Sequence, residues 1–145
     1  WMGVAIGSLI VDRCWMRLRS IRKTLMIFLG IQLLSLMGIL YFELSGFTAV
    51  LFSLLFGFGT SSHMLTYTIG KNAVPAQYSG SAISIVNAAM FFIGGVFAAV
   101  IGFFLERTGL HLHDYQTVAL IFWLGMSVAF VAVLFFKDSD ERMCG

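Results

Sequence analysis

The side chains that could bind a solute or carry a proton lie inside otherwise apolar stretches of this sequence. His63 follows Thr60 and two serines, and Tyr67 comes about one helical turn later. Asn87 interrupts the next apolar stretch. An imidazole binds anions or takes up a proton near neutral pH, while hydroxyl and amide groups supply hydrogen bonds. His63, Thr60, Tyr67 and Asn87 are therefore the candidate residues for solute binding or proton coupling.

Each of these polar residues also has a structural interpretation. Hydroxyl, amide and imidazole groups in membrane bundles often join neighbouring helices by hydrogen bonds. A carboxylate would be the more usual intramembrane proton carrier, yet all seven Asp and Glu residues fall outside the apolar stretches or at their ends. His63 is the one ionisable candidate at membrane depth. Binding and helix-to-helix contact stay open as alternative roles.

The sequence gives no basis for an enzyme, a cofactor or a metal site. His63 and its neighbouring serines lack an acid partner nearby in sequence. The two cysteines do not have metal-ligand spacing, and His111, His113 and Asp114 form only a short cluster in one polar connection. The chain also lacks the basic stripe of a nucleic-acid-binding protein. We expect no enzymatic activity, no cofactor, no metal and no nucleic-acid partner.

The composition is that of an integral membrane protein. Hydrophobic residues make up 59% of the chain and charged residues 11%, against about 25% charged in soluble domains. Apolar stretches of about 20 residues are long enough to span a bilayer. The sequence predicts an all-α membrane domain over 1–145, with complete helices over 24–42, 48–70, 82–105 and 116–136 and a partial helix over 1–11.

The partial helix would reach only about 16 Å. We expect it to be the end of a helix that starts upstream, or else an interfacial segment.

The basic residues predict which connections lie in the cytoplasm. Alternation places 12–23, 71–81 and 137–145 on one side, and 43–47 and 106–115 on the other. Eight of the nine basic residues fall on the first side. Since cytoplasmic loops carry an excess of Lys and Arg, the first side is predicted to be cytoplasmic.

Small residues predict where helices approach closely. Gly94, Ala98 and Gly102 are spaced four apart, so they share one helical face. Gly57 and Gly59 precede the polar residues of the previous stretch. Small residues at such spacing allow helix backbones to pack together. We expect these five residues to make close helix contacts.

Two segments resemble the major facilitator superfamily. Ser8, Asp12, Arg13 and Arg17 resemble its cytoplasmic loop motif, although Ser8 stands where the motif has glycine. The second segment, Pro75-Ala76-Gln77-Tyr78-Ser79-Gly80-Ser81-Ala82 with Asn87 and Gly94-Gly95, is similar to the connector between the tenth and eleventh helices and to the helix that follows it.

The resemblance implies that the chain covers the end of the eighth helix and the ninth to twelfth helices of a twelve-helix secondary transporter. Such a protein moves a small solute by alternating access, with symport as one mode, and the polar run before the connector is loosely similar to bacterial members that carry organic anions. The implied partners are membrane lipid, the solute and the N-terminal half of the same transporter. The implied location is the bacterial cytoplasmic, or inner, membrane.

Two other functions fit the same composition. The chain could be a small self-standing membrane protein, such as an oligomeric exporter or an accessory subunit. Small proton-coupled exporters need an intramembrane carboxylate, and the sequence has none, which disfavours that version. The chain could also be the non-functional remnant of a transporter gene.

Overall fold

The computed structural model describes residues 1–42, 45–108 and 112–135, and these residues are almost entirely helical. The helices are α1 (Met2–Leu18), α2 (Ile21–Tyr41), α3 (Gly46–Thr60), α4 (His63–Asn72), α5 (Ser79–Thr108) and α6 (Leu112–Phe135). A 3₁₀ turn, Ala76–Tyr78, comes before α5.

Four stretches are long and apolar enough to cross a membrane. They are Ile21–Tyr41, Gly46–Asn72, Ala76–Arg107 and Thr117–Phe135. The prediction of an all-α, multi-pass membrane protein with four complete spans is confirmed in the described residues. The sides on which the connections lie stay a prediction.

Helix α1 continues into the basic segment for which the sequence predicted a loop over 12–23. No Gly or Pro interrupts residues 8–18, and Arg, Leu and Met are good helix formers. The helix ends only at Arg19, which adopts a left-handed conformation with φ 47°. Ser20 then caps α2, its hydroxyl accepting a hydrogen bond from the Lys23 N–H at 3.1 Å. The connection from α1 to α2 is therefore a corner of two residues.

The other boundaries also differ from the sequence predictions. The span expected over 48–70 is divided into α3 and α4, while α5 is longer at both ends than 82–105. Helix α6 begins before residue 116. The connection predicted over 71–81 shortens to a few residues around Pro75. Residues 43–44, 109–111 and 136–145 lie outside the described part of the chain, so the predicted tail cannot be compared.

The chain divides into two compact units, one containing residues 1–65 with the later part of α6 and the other containing residues 66–122. In the first unit α3 packs against both α1 and α2. The rings of Phe28 and Phe58 stack there with centroids 4.9 Å apart. Val11, Leu25 and Phe28 are buried. This three-helix core positions the end of α3.

The contact between α1 and α3 is built on glycine. A methyl group placed on Gly7 would lie 2.6 Å from the carbonyl oxygen of Phe58, and one placed on Gly57 would lie 3.4 Å from the Cα of Gly3. Gly3 and Gly7 are spaced four apart and are both buried. The absence of side chains at these positions lets the two backbones touch, as in other membrane helix pairs.

In the second unit, α4 and α5 contact each other on either side of the Pro75 connection. A methyl group on Gly70 would lie 2.9 Å from Cγ2 of Val86. Further along α5, the Phe97 ring meets the edge of the Phe122 ring of α6, with centroids 6.4 Å apart. Helix α5 is otherwise open along most of its length, since none of its most apolar window is buried.

Candidate functional site

The helix break between α3 and α4 is a short stretch of 3₁₀ hydrogen bonding. The amides of Ser61 and Ser62 donate to the carbonyls three residues earlier, both at 3.2 Å. Those of Met64 and Leu65 do the same, at 3.1 and 3.0 Å. A continuous α-helix would instead use carbonyls four residues earlier. Such a stretch inside a helix often marks a hinge or a functional site.

His63 satisfies a carbonyl that the break releases. In a continuous helix the Met64 amide would donate to the Thr60 carbonyl, but here it donates to Ser61. The Nδ1 of His63 lies 2.6 Å from the Thr60 carbonyl oxygen. Because a carbonyl can only accept, Nδ1 carries the proton and donates it. The imidazole therefore caps the C-terminal end of α3.

Gln32 joins α2 to the same point. Its Nε2 donates to the Thr60 hydroxyl at 3.1 Å, and that hydroxyl donates to the Phe56 carbonyl at 2.9 Å. The Thr60 side chain thus has both a donor and an acceptor partner. We name Gln32, Thr60, Ser61, Ser62 and His63 the α3-end cluster.

The two serines of the α3-end cluster are enclosed by the first unit, while Gln32, Thr60 and His63 are half-buried. Ser61 is fully buried and Ser62 is 5% exposed. The Ser61 hydroxyl donates to the Phe58 carbonyl at 2.7 Å. A methyl group on Gly59 would lie 2.7 Å from both the Gln32 Cβ and the Phe28 carbonyl oxygen. The cluster is therefore a group of polar side chains within an apolar helix bundle, and close contact of α3 with α2 holds it in place.

The other two candidate residues lie together in the second unit. The Tyr67 hydroxyl donates to Oδ1 of Asn87 at 2.8 Å and so joins α4 to α5. The Asn87 side chain is exposed, and Tyr67 is half-buried. The structure thus brings His63 to Thr60 and Tyr67 to Asn87. Each pair is described by itself, since the two belong to different units.

The predicted packing glycines divide into two groups. Gly57 and Gly59 make close contacts with α1 and α2, respectively. Gly94 and Gly102 have no atom within 4 Å of a methyl group placed on them, and Ala98 is exposed. The close-packing role of the α5 residues stays a prediction. The motif residues Ser8, Asp12, Arg13 and Arg17 all lie on α1.

Gln32, Gly3 and Gly7 are not among the candidate residues named from the sequence. An amide within an apolar stretch was the available signal for Gln32, and the four-residue glycine spacing was the signal for α1. The indole N–H of Trp123 was also missed. It is buried without a hydrogen-bond partner in the described structure. An unpaired N–H is not visible in a sequence.

Metal ligands do not gather in the part of the chain that the structure describes. No group of three His, Cys, Asp or Glu side chains is found there. His111 lies outside the described residues, so the cluster with His113 and Asp114 stays without a structural comparison.

The Gln32–Thr60 hydrogen bond predicts a measurable coupling between α2 and α3. In a double-mutant cycle of Gln32→Leu and Thr60→Val, we expect a coupling energy of about 0.6 kcal/mol and at most about 1.7 kcal/mol, as for other membrane-helix hydrogen bonds. The measurement is unfolding in mixed micelles, followed by helical circular dichroism.

Ser35→Ala is the matched control, because the Ser35 hydroxyl donates to the Ile31 carbonyl of its own helix. A cycle of Ser35→Ala with Thr60→Val should show no coupling, and equal coupling in both cycles would contradict the assignment.

Comparison with known proteins gives no family assignment. No protein-family model matches the chain, and searches of curated proteins and of solved structures give no match. The resemblance found in the sequence therefore stays a prediction, carried by the residues quoted for it.

Proposed function

We propose that this chain is part of a secondary active transporter, similar to the major facilitator superfamily, that moves a small solute across a membrane by alternating access. The observation that carries the proposal is the polar break at Ser61–Ser62 within the membrane-length stretch Gly46–Asn72. Interrupted helices of this kind border the substrate and ion sites of many transporters.

The depth of the break supports this function. At about 1.5 Å per residue, Ser61 lies about 22 Å from the start of α3, and Ser62 lies about 15 Å from the end of α4. Since a hydrocarbon core is about 30 Å thick, a break at least about 15 Å from either end of the stretch lies well inside the membrane. Non-helical backbone at such depth is tolerated only where protein encloses it or where it lines a water-filled cavity. The burial of both serines meets the first condition, and a route for solute beside His63 would meet the second.

The proposal gives the polar residues separate roles. His63 binds an anionic group of the solute or carries the coupling proton, while Thr60 and Gln32 hold the end of α3 in place. Tyr67 and Asn87 contact the solute with their hydroxyl and amide groups. When the solute binds, the hydrogen bond between Tyr67 and Asn87 is replaced by hydrogen bonds to the solute. An organic anion is one candidate solute, because an imidazole can bind an anionic group and the polar run before the Pro75 connection is loosely similar to members of the superfamily that carry organic anions. The 3₁₀ stretch between α3 and α4 provides a place where the helix can bend, and alternating access requires such bending.

Proton-coupled anion uptake would test this proposal. Small carboxylates are added in turn to lightly buffered, de-energised cells that express the longer protein containing this chain, and the external pH is followed. Symport should give a transient alkalinisation with at least one carboxylate, and Tyr67→Phe with Asn87→Ala should reduce it. The matched control is Ser127→Ala, since the Ser127 hydroxyl donates only within α6, to the Trp123 carbonyl. No pH change with any solute, together with no accumulation of labelled solutes, would reject proton-coupled anion transport.

The open surface of α5 can be covered by lipid or by further helices. None of the apolar window of α5 or of α6 is buried. In the leading proposal the rest of a longer transporter covers part of α5, whereas in a self-standing protein other copies of the chain would cover it. The mass of the purified 145-residue chain in detergent distinguishes the two. A discrete oligomer that conducts a solute would favour the small-exporter alternative.

A further inference from the structure

The corner between α1 and α2 concentrates positive charge at a helix end. Five basic residues and one acid, Asp12, lie within residues 12–23. The net charge of the whole chain is only +2, so the remaining residues are net acidic. We name this surface the basic corner. Its basic residues are Arg13, Arg17, Arg19, Arg22 and Lys23.

The helix bounds bring these charges into a small region. Arg13 and Arg17 are one turn apart on the same face of α1, which ends at Leu18. Arg19 occupies the left-handed turn, and Arg22 and Lys23 belong to the first turn of α2. The side chains of Arg13, Arg17, Arg19 and Lys23 are exposed. A loop of twelve residues would have dispersed these charges, but the two-residue corner gathers them.

The residues between the charges suit the headgroup level of a bilayer. Trp15 is half-buried, while Met16 and Leu18 are exposed at 66% and 37%. Tryptophan is enriched at membrane interfaces, and long basic side chains reach from apolar surface towards the headgroups. Exposed apolar side chains beside exposed guanidinium groups are complementary to a lipid, which has acyl chains next to a phosphate.

We infer that the basic corner binds the headgroups of anionic phospholipids. Guanidinium groups bind phosphate oxygens through paired hydrogen bonds, and clusters of basic residues next to a membrane helix attract anionic lipids. A zwitterionic lipid also has a phosphate, but its ammonium group would face the same five cationic side chains. The corner therefore prefers phosphatidylglycerol to phosphatidylcholine. This inference depends only on the membrane location of the chain and not on the proposed transport.

Trp15 allows the preference to be measured at the corner itself. The test uses the full chain with Trp1→Phe and Trp123→Phe, reconstituted in nanodiscs that contain mixtures of phosphatidylglycerol and phosphatidylcholine. One lipid at a time carries bromine on its acyl chains, and the quenching of Trp15 fluorescence gives the relative binding constant of the two lipids. Both faces of a nanodisc have the same composition, so the orientation of the chain does not affect the result.

We expect phosphatidylglycerol to bind about fivefold more tightly or better, which is the factor that corresponds to one basic residue near a membrane surface. Arg17→Gln, Arg19→Gln and Lys23→Gln together should lower the ratio, and only the part due to Arg13 and Arg22 should remain. The matched control is Lys71→Gln, since Lys71 is an exposed basic residue in the last turn of α4, away from the corner in sequence. That control should keep the preference.

Salt provides a second measurement on the chain with its charges intact, in case the triple variant does not fold. Raising the salt to about 1 M shortens the Debye length to about 3 Å and should remove most of the preference. Equal quenching by the two brominated lipids at low salt would overturn the inference. So would a preference that is undiminished by the triple substitution in a folded chain or by the high salt.

Discussion

Replacing Gly59 by leucine is expected to separate α2 from α3 and to unfold the first unit of the protein. A Cβ at this position would lie 2.7 Å from the backbone carbonyl oxygen of Phe28 and 2.8 Å from the backbone nitrogen of Gln32. Both atoms belong to the α2 backbone, which cannot turn aside as a flexible side chain could. Overpacking in a tight core typically costs about 1–3 kcal/mol and sometimes more. We expect about 3 kcal/mol or more, measured as loss of stability in mixed micelles.

Gly94→Leu is the matched control for this substitution. It makes the same chemical change in another apolar helix, but no atom lies within 4 Å of a methyl group placed on Gly94. In the isolated chain it should leave the stability nearly unchanged. Equal destabilisation by both substitutions would show that close contact with α2 is not the cause, and helix propensity could not explain the loss, since leucine is a better helix former than glycine. A stable Gly59→Leu protein would contradict the described packing of α3 against α2.

Replacing His63 by alanine is expected to lower uphill solute accumulation to the background of cells without the protein. If His63 binds an anionic group or the coupling proton, alanine removes both capacities. The same substitution also leaves the Thr60 carbonyl without the Nδ1 donor that lies 2.6 Å away. Loss of transport in this variant alone therefore does not separate coupling from helix capping. The measurement is accumulation of labelled solute at a fixed proton gradient.

His63→Asn separates the two roles. The asparagine amide can donate to the Thr60 carbonyl from about the position of Nδ1, but it cannot take up a proton. We expect this variant to fold normally, to lose proton-driven accumulation and to retain exchange of solute down its gradient. Full proton-driven accumulation in His63→Asn would show that the imidazole acts only as the cap of α3. Loss of exchange as well would indicate that His63 binds the solute rather than the proton.

The sequence predicted the class of fold well because lipid imposes a simple rule on it. Apolar stretches of about 20 residues must form helices in a bilayer, since every backbone group needs an internal partner. The four complete spans follow from that rule. The ends of the helices do not, because charged residues such as Arg13 and Arg17 end an apolar stretch and are nevertheless good helix formers. This is why α1 continues to Leu18 beyond the predicted end of its apolar stretch.

The candidate site was predictable in its residue types and not in its pairing. Thr60, His63, Tyr67 and Asn87 were visible as polar residues inside apolar stretches. The 3₁₀ stretch was not, because two serines are compatible with a continuous helix as well as with a break. The partner of Thr60 depends on how α2 crosses α3, which is set by the contact at Gly59. The small-residue pattern predicted a close contact at Gly59, but which residues lie opposite it depends on three-dimensional packing.

The central claim of the proposal is that His63 in the first unit and Asn87 in the second are each open to water inside the membrane. Its most direct test is the reaction rate of single cysteines with a membrane-impermeant maleimide, applied to each side of vesicles that carry the protein without Cys14 and Cys144. Positions 63 and 87 are compared with positions 64 and 85, which lie at nearly the same depth on other helix faces. Met64 and Ile85 are exposed at 40% and 69% on apolar surface.

Cysteines at His63 and Asn87 are predicted to react on the order of tenfold faster than those at Met64 and Ile85, because the reactive thiolate forms in water and not in hydrocarbon. Reaction at positions 63 and 87 no faster than at 64 and 85, from either side of the membrane, would contradict the account.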